Sequence, residues 1–408
     1  MTIGDQLAVL LTYDCSMLCL HLGFFVQLCQ TLAWHSPSIV DAGMTMREIE
    51  APVPQGQTEA ATGPFSRYPL VALWLWSLAA LVFLMVIVGG ATRLTESGLS
   101  ITEWKPLSGI IPPLSHADWL AEFDHYKQIP QYAQLFPDMD LRGFKFIFFF
   151  EWGHRLLGRL IGVALSLPLI YFWAKGWLPK GFKPKLLGLL ALGALQGFVG
   201  WWMVKSGLSE RIEVAQERLA THLLLASATF VALIWLATSL KTRRDPVPGH
   251  VRPLLNWLAC ATLLLVLLQI GLGGLVAGLR AGQAFNTWPL IDGYFWPPAN
   301  ELFLLSPVWA NFFDNLLLVQ FQHRMIAYGL LVVALAQAFC ASRLAQGSRT
   351  ARRSQVLAGL IAAQAAIGIA TLLLAVPLWA GLLHQAVAMS VLGLATVQAQ
   401  ALAKSPKP

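Results

Sequence analysis

Four histidines stand inside long apolar stretches of this 408-residue chain: His154, His222, His323 and His384. Polar groups in hydrocarbon are expensive and tend to mark function. A lone histidine of this kind is more often a hydrogen-bonded packing residue, but these four occupy equivalent places in an internal repeat. Two imidazoles facing each other across a bundle interior are the ordinary way to hold a six-coordinate haem iron. Zinc or copper would instead want its ligands converging on one point, with thiolates or further histidines. Four residues after each histidine, on the same helix face, stands a small residue: Gly158, Ala226, Ala327 and Ala388. That spacing leaves room for a flat macrocycle. We expect one haem per half, held by His154 with His222 and by His323 with His384.

The halves differ at one chemically telling place. Three residues before His154 is Glu151, whereas Gln320 precedes His323 at the same spacing. One predicted haem therefore has an ionisable carboxyl beside it and the other a neutral amide. Glu151 reads either as an ion-pair partner of Arg155 at i+4 or as a proton-transfer group in low dielectric. A second difference is Arg159 against Tyr328. Arg93, Arg155 and Arg324 are candidate partners for haem propionates, with snorkelling to headgroups as the plainer alternative.

These residues need helices to carry them. Hydrophobic residues make up 56% of the chain and charged ones 12%, against about a quarter charged in an ordinary soluble domain. With a mean hydropathy of +0.61, the composition excludes a soluble monomer and a disordered chain. Apolar spans fall at 70–90, 146–174, 186–204, 218–240, 254–276, 316–340, 355–376 and 381–402, each near the ~20 residues a crossing helix needs. The expected fold is an all-α polytopic membrane protein. Lys175, Lys180, Lys183 and Lys185 follow the second span, Lys241, Arg243, Arg244 and Arg252 the fourth, and Arg343, Arg349, Arg352 and Arg353 the sixth. The positive-inside rule places these loops and both termini in the cytoplasm. The net charge of +7 is thus a topology signal and calls for no nucleic acid. All four histidines then lie in the first turns of helices running inward, near the outer face.

Gly89-Gly90, Gly98, Trp104, Gly109 and Pro113 align without a gap on Gly273-Gly274, Gly282, Trp288, Gly293 and Pro297. His154-Arg155 matches His323-Arg324, Gln196 and Gly200 match Gln364 and Gly368, and His222 matches His384. The eight helices are therefore expected as two pseudo-symmetric four-helix bundles in parallel orientation: 67–245, with a long outer loop at 91–145, and 246–408. The loop's prolines and aromatics suggest a cap over the outer haem site, and its His116 and His125 read as solvated. Residues 1–66 read as an N-terminal extension and cytoplasmic tail, with Met44 or Met46 as alternative starts. The five cysteines suggest no disulfide framework.

The run Gly89-Gly90-Ala91-Thr92-Arg93-Leu94-Thr95-Glu96-Ser97-Gly98-Leu99-Ser100, with Trp104-Lys105-Pro106, Gly109-Ile110-Ile111-Pro112-Pro113 and Glu151-Trp152-Gly153-His154-Arg155, closely resembles the haem A synthase family. The resemblance covers residue 70 to the C-terminus. It implies an oxidoreductase that converts the methyl group of haem O to the formyl group of haem A through a hydroxymethyl intermediate. It further implies His154 and His222 on the substrate haem, His323 and His384 on a haem b, and Glu151 as the catalytic carboxylate. Haem O synthase and terminal oxidase assembly factors are the expected partners, in a bacterial cytoplasmic (inner) membrane, with an electron donor the sequence does not name. A homo-oligomer is compatible with the sequence. The outer-loop cysteine pair of some members is missing, as in proteobacterial and mitochondrial members. The competing reading is a two-haem bis-His b-type electron carrier, which has no use for a carboxylate in one half only; a haem-free transporter is the third.

Overall fold

In hydrocarbon a backbone must satisfy its own hydrogen bonds, so apolar stretches of this length fold as helices. The computed structural model describes residues 68–105, 108–209, 211–240 and 245–403; the predicted extension at 1–66 lies outside them. Among the described residues eight helices are long and apolar enough to cross a membrane: α1 (Pro69–Leu94), α2 (Leu141–Ala174), α3 (Lys183–Lys205), α4 (Gln216–Ser239), α5 (Arg252–Gly278), α6 (Leu316–Leu344), α7 (Arg349–Leu373) and α8 (Leu378–Ala403). The chain is an all-α multi-pass membrane protein.

Every expected span is present, most of them longer than expected. α7 begins at Arg349 and not at 355, and α2 begins at Leu141 and not at 146. Asp140 caps it, accepting from the Gly143 amide at 2.7 Å, and this satisfies a free N–H of the first turn. The extra turns are apolar for a reason. Phe144 and Phe148 pack with Trp119, Phe123 and Tyr126 of the short helix His116–Tyr126, with Phe123 stacked on Phe144 at 4.9 Å between ring centres. The connection between α1 and α2 is consequently a folded cap with its own aromatic core, not an open loop. His154 accordingly lies well inside α2, which corrects its expected place in the first turns. His222, His323 and His384 do lie within about two turns of their helix starts.

Within the first half α1 packs on α2 and α4, and α3 on α4; within the second α5 packs on α6 and α8, and α7 on both α6 and α8. The halves meet where α4 touches α5 and α8, and where α1 touches α8. Small residues permit these crossings. A methyl on Gly90 would overlap Gln385 of α8, whose amide donates to the Val86 carbonyl at 3.0 Å. One on Gly274 would lie 3.0 Å from the Ala220 backbone of α4.

A buried polar chain ties the second half together. Thr262 of α5 donates to Gln337 of α6 at 2.7 Å, and Gln398 of α8 donates to Ser354 of α7 at 2.9 Å. At one end of that chain Asp245, just before α5, accepts from Arg353 and, at 2.9 Å, from Thr350. Asp245→Ala strands a partly buried guanidinium and should lower stability by about 3 kcal/mol. A thermal unfolding midpoint in detergent equal to wild type would refute this.

Candidate functional site

Each of the four histidines rests its ring on a glycine of the helix before it. A methyl group added to Gly89 would lie 3.2 Å from Cε1 of His154, and one on Gly200 2.9 Å from Cε1 of His222. The second half repeats the contact, with Gly273 at 3.3 Å from His323 and Gly368 at 2.8 Å from His384. These glycines explain part of the repeat seen in the sequence: only a residue without Cβ lets the imidazole lie against the neighbouring backbone. His154 stands within electrostatic reach of His222, and His323 of His384. All four histidines are half-buried.

Three glutamines that the sequence reading did not assign touch these rings. Gln269 brings its amide nitrogen 3.1 Å from Nδ1 of His323 and donates to the His323 carbonyl at 3.0 Å. Gln364 does the same to His384, at 3.1 and 2.9 Å. Gln196 donates to the His222 carbonyl at 3.1 Å. The signal was present in the Gln196–Gly200 and Gln364–Gly368 match, but its meaning needed the contact.

Glu151 is 3% exposed and fully engaged. One oxygen accepts from Arg155 at 2.6 Å; the other accepts from the Ser100 hydroxyl and the Ile101 amide, both at 2.8 Å. Both readings of this residue are therefore compatible with its geometry, since the ion pair exists and the carboxylate is also pinned to the outer loop. Arg155 donates further to the carbonyls of Ile101 at 2.8 Å and Glu103 at 3.3 Å. The other half builds a parallel arrangement. Arg324 donates to the Phe285 carbonyl at 3.3 Å and to that of Thr287 at 2.8 Å, and Gln320 donates to Phe285 at 3.3 Å. Both arginines clamp their outer loop, a role the sequence reading missed. The loop's partner differs: in the first half a loop amide donates to a carboxylate, while in the second a side-chain amide donates to a loop carbonyl.

Arg93 has a different setting from the other two. It pairs with Glu96 at 3.2 Å and Glu213 at 2.5 Å and donates to the carbonyls of Ala277 and Gly278. Arg280 joins the same cluster, pairing with Glu96 at 2.8 Å and with Glu213. Burial raises the Glu96 carboxyl above its usual range against the opposing charge of Arg93. The cluster stitches together the connections that follow α1, α3 and α5. His116 is exposed, and His125 is half-buried within the cap.

The donor set suits a flat axial complex better than a compact metal centre. Among the described residues no group of three or more His, Cys, Asp or Glu side chains could hold a metal ion, while four imidazoles are present, each against a glycine. The space beside Gly158 is shared with the Met85 methyl, 3.6 Å from where a Cβ would stand. Gly368→Ala should push His384 off its cradle and lower the haem bound per protein several-fold, as losses around metal-ligating histidines usually do. The haem-to-protein ratio of purified protein reads this directly, and an unchanged ratio counts against the cradle.

Known proteins share this chain's pattern over most of its length. The family model described as cytochrome oxidase assembly protein, COX15-CtaA, matches residues 72–396. A heme A synthase of Beijerinckia indica subsp. indica is 66% identical over 334 residues, covering 82% of this chain and 93% of the relative. Heme A synthases of a Chelativorans species and of Bradyrhizobium diazoefficiens are 53% and 51% identical, covering 80% and 84% of this chain and 89% and 94% of their own lengths. With a family match across the membrane domain and relatives this similar, the chain belongs to the COX15-CtaA family of cytochrome oxidase assembly proteins.

Proposed function

We propose that the chain is a haem A synthase, an oxidoreductase that takes the methyl group of haem O to the formyl group of haem A for terminal oxidase assembly. The single observation that carries the mechanistic reading is the buried, loop-pinned carboxylate of Glu151 beside one histidine pair, with Gln320 at the matching place in the other half. We assign His154 and His222 to the substrate haem and His323 and His384 to a resident haem b, in two pseudo-symmetric halves. When bound between these histidines, the haems would supply the redox chemistry.

The chain's own residues then have separable tasks. Glu151 accepts a proton or positions water next to the reacting methyl. Ser100, Ile101 and Arg155 hold that carboxylate in one orientation, so it needs little reorganisation when charge moves. The aromatic cap of Trp119, Phe123, Tyr126, Phe144 and Phe148 keeps bulk water from the outer side. Arg155 and Arg324 lie at the outer ends of the two sites, where the part-exposed guanidinium of Arg155 and the buried one of Arg324, whose Nε has no hydrogen-bond partner, can meet propionates as well as the loop carbonyls. Arg93, engaged in the cluster with Glu96 and Glu213, acts on the haems through the outer connections it anchors. Loops rich in lysine and arginine orient the chain with both termini in the cytoplasm of a bacterial inner membrane. Haem O synthase and oxidase assembly factors are the partners this activity requires.

The test is haem extraction and a pyridine haemochrome spectrum of purified protein. Haem O or haem A alongside haem b is the expected result. Haem b alone would overturn the synthase reading in favour of an electron carrier.

A further inference from the structure

The two halves close differently at one pair of helices. In the second half α6 and α7 pack closely, whereas the matching helices of the first half, α2 and α3, make few contacts. The other matched pairs, α1 with α2 against α5 with α6 and α3 with α4 against α7 with α8, are packed in both halves. α2 and α3 are also the two least buried of the eight membrane helices. From Trp152 to Ala164 of α2, and from Leu190 to Phe198 of α3, no residue is buried.

The internal repeat supplies the physical reason. Gly193 of α3 aligns with Ile361 of α7, Gly197 with Ala365, and Gly162 of α2 with Leu331 of α6. Ile361 is 3% exposed, so a large side chain fills the second half where the first has none. A methyl on Gly193 would stand 3.8 Å from Cδ2 of Leu165, and one on Gly162 or Gly197 would meet nothing within 4 Å. Gly162 shares a face of α2 with Leu165. Gly197 shares a face of α3 with Gly193, which looks to α2, and with Gly200, which carries the His222 ring. The open line between α2 and α3 thus runs on from the histidine site. Leu160, Val163, Leu195 and Phe198 are exposed on the same two helices, as lipid-facing residues are.

The haems assigned to the two halves differ in a way that packing can read. Haem O bears a long isoprenoid tail where haem b has a vinyl group. A close-packed bundle has no volume for such a tail and resists added carbons. Lipid is as apolar as a leucine side chain, so the tail gains little by exchanging one for the other. What it needs is room to leave the bundle.

We propose that the α2–α3 gap is a side port: the tailed haem enters the first half there from the membrane, its tail stays between the two helices, and the closed α6–α7 pair keeps tailed haems out of the second half. The inference rests on the haem assignment above and extends it to how the substrate is admitted and selected. Selection works by exclusion, through Ile361 and Leu331, rather than by attraction.

The test uses the full chain, purified with haem b bound and placed in lipid nanodiscs, then offered haem O or tailless protohaem IX. Wild type should take haem O into the first half. Gly162→Leu with Gly193→Ile, which copies the second half, should lower haem O binding at least tenfold while protohaem IX binds as before and haem b is retained. Tenfold is about 1.4 kcal/mol, within the usual cost of overpacking. A second variant, Leu165→Cys with Gly193→Cys in a chain whose own five cysteines are replaced, keeps folding out of the comparison. Its haem O uptake should be slow when the pair is oxidised and recover when the same sample is reduced. Equal uptake by the oxidised and reduced samples overturns the side port. Equal loss of haem O and protohaem IX in the glycine variant overturns selection by the tail. If the first half of the wild type binds neither haem, it is the haem assignment that fails.

Discussion

Glu151→Gln should lower haem A formation by about 100-fold or more, the usual scale for loss of a positioned acid–base group, with haem b still bound. The amide keeps the size of the side chain, and its oxygen can still accept from Ser100 or Ile101. It cannot take a proton, and it gives up the ion pair with Arg155. Those two losses are separated by Glu151→Asp, which restores a carboxylate at a shorter reach. Partial recovery of haem A with Asp, but none with Gln, is the expected pattern for a proton-handling role. Equal haem A yield from wild type and Glu151→Gln, measured by extraction after expression with haem O supply, removes Glu151 from the mechanism. Arg155 retains its contacts to the Ile101 and Glu103 carbonyls in either variant, so the outer loop should stay in place.

Replacing the histidines should empty one half at a time. His323→Ala or His384→Ala is expected to abolish haem b while haem O or haem A remains detectable; His154→Ala or His222→Ala should deplete the substrate haem and spare haem b. Removing a first ligand leaves one imidazole to hold the iron, and affinity should fall by at least the 10–100-fold known for mere supporting contacts. The halves are joined by helix packing of α4 on α5 and α8 and of α1 on α8, not by any shared histidine, which is why the losses should be selective. Loss of haem b on replacing His154 would show that the pairs had been assigned across the wrong helices. Purified variants compared by haem type and by haem-to-protein ratio give the answer.

Some of this was legible in residue order because it is written at short range. Eight runs of apolar residues can only cross hydrocarbon as helices, and eight such helices are present among the described residues. The family signature lies in contiguous residues from Gly89 to Pro113 and around Glu151. The contrast of Glu151 with Gln320 is visible once the two segments are laid side by side.

Tertiary structure decided which group each polar side chain meets. Arg155 and Arg324 close on loop carbonyls roughly fifty and forty residues away along the chain, contacts that leave no periodicity to read. Arg93 pairs with Glu213 of its own half and reaches the Ala277 and Gly278 carbonyls across the boundary, where Arg280 meets the same Glu213, so a residue that resembled an isolated interfacial cation is part of a seam. The start of α2 moved outward because Phe144 and Phe148 had a partner in the cap helix, and apolarity alone does not say whether lipid or protein covers a phenyl ring. Glutamines beside histidines looked like any polar residues in a membrane helix until the fold set them against the same imidazoles. Local composition fixes what a segment must become; the partners of buried hydrogen-bonding groups are chosen only when distant segments pack, because only then does desolvation force each one to find a mate.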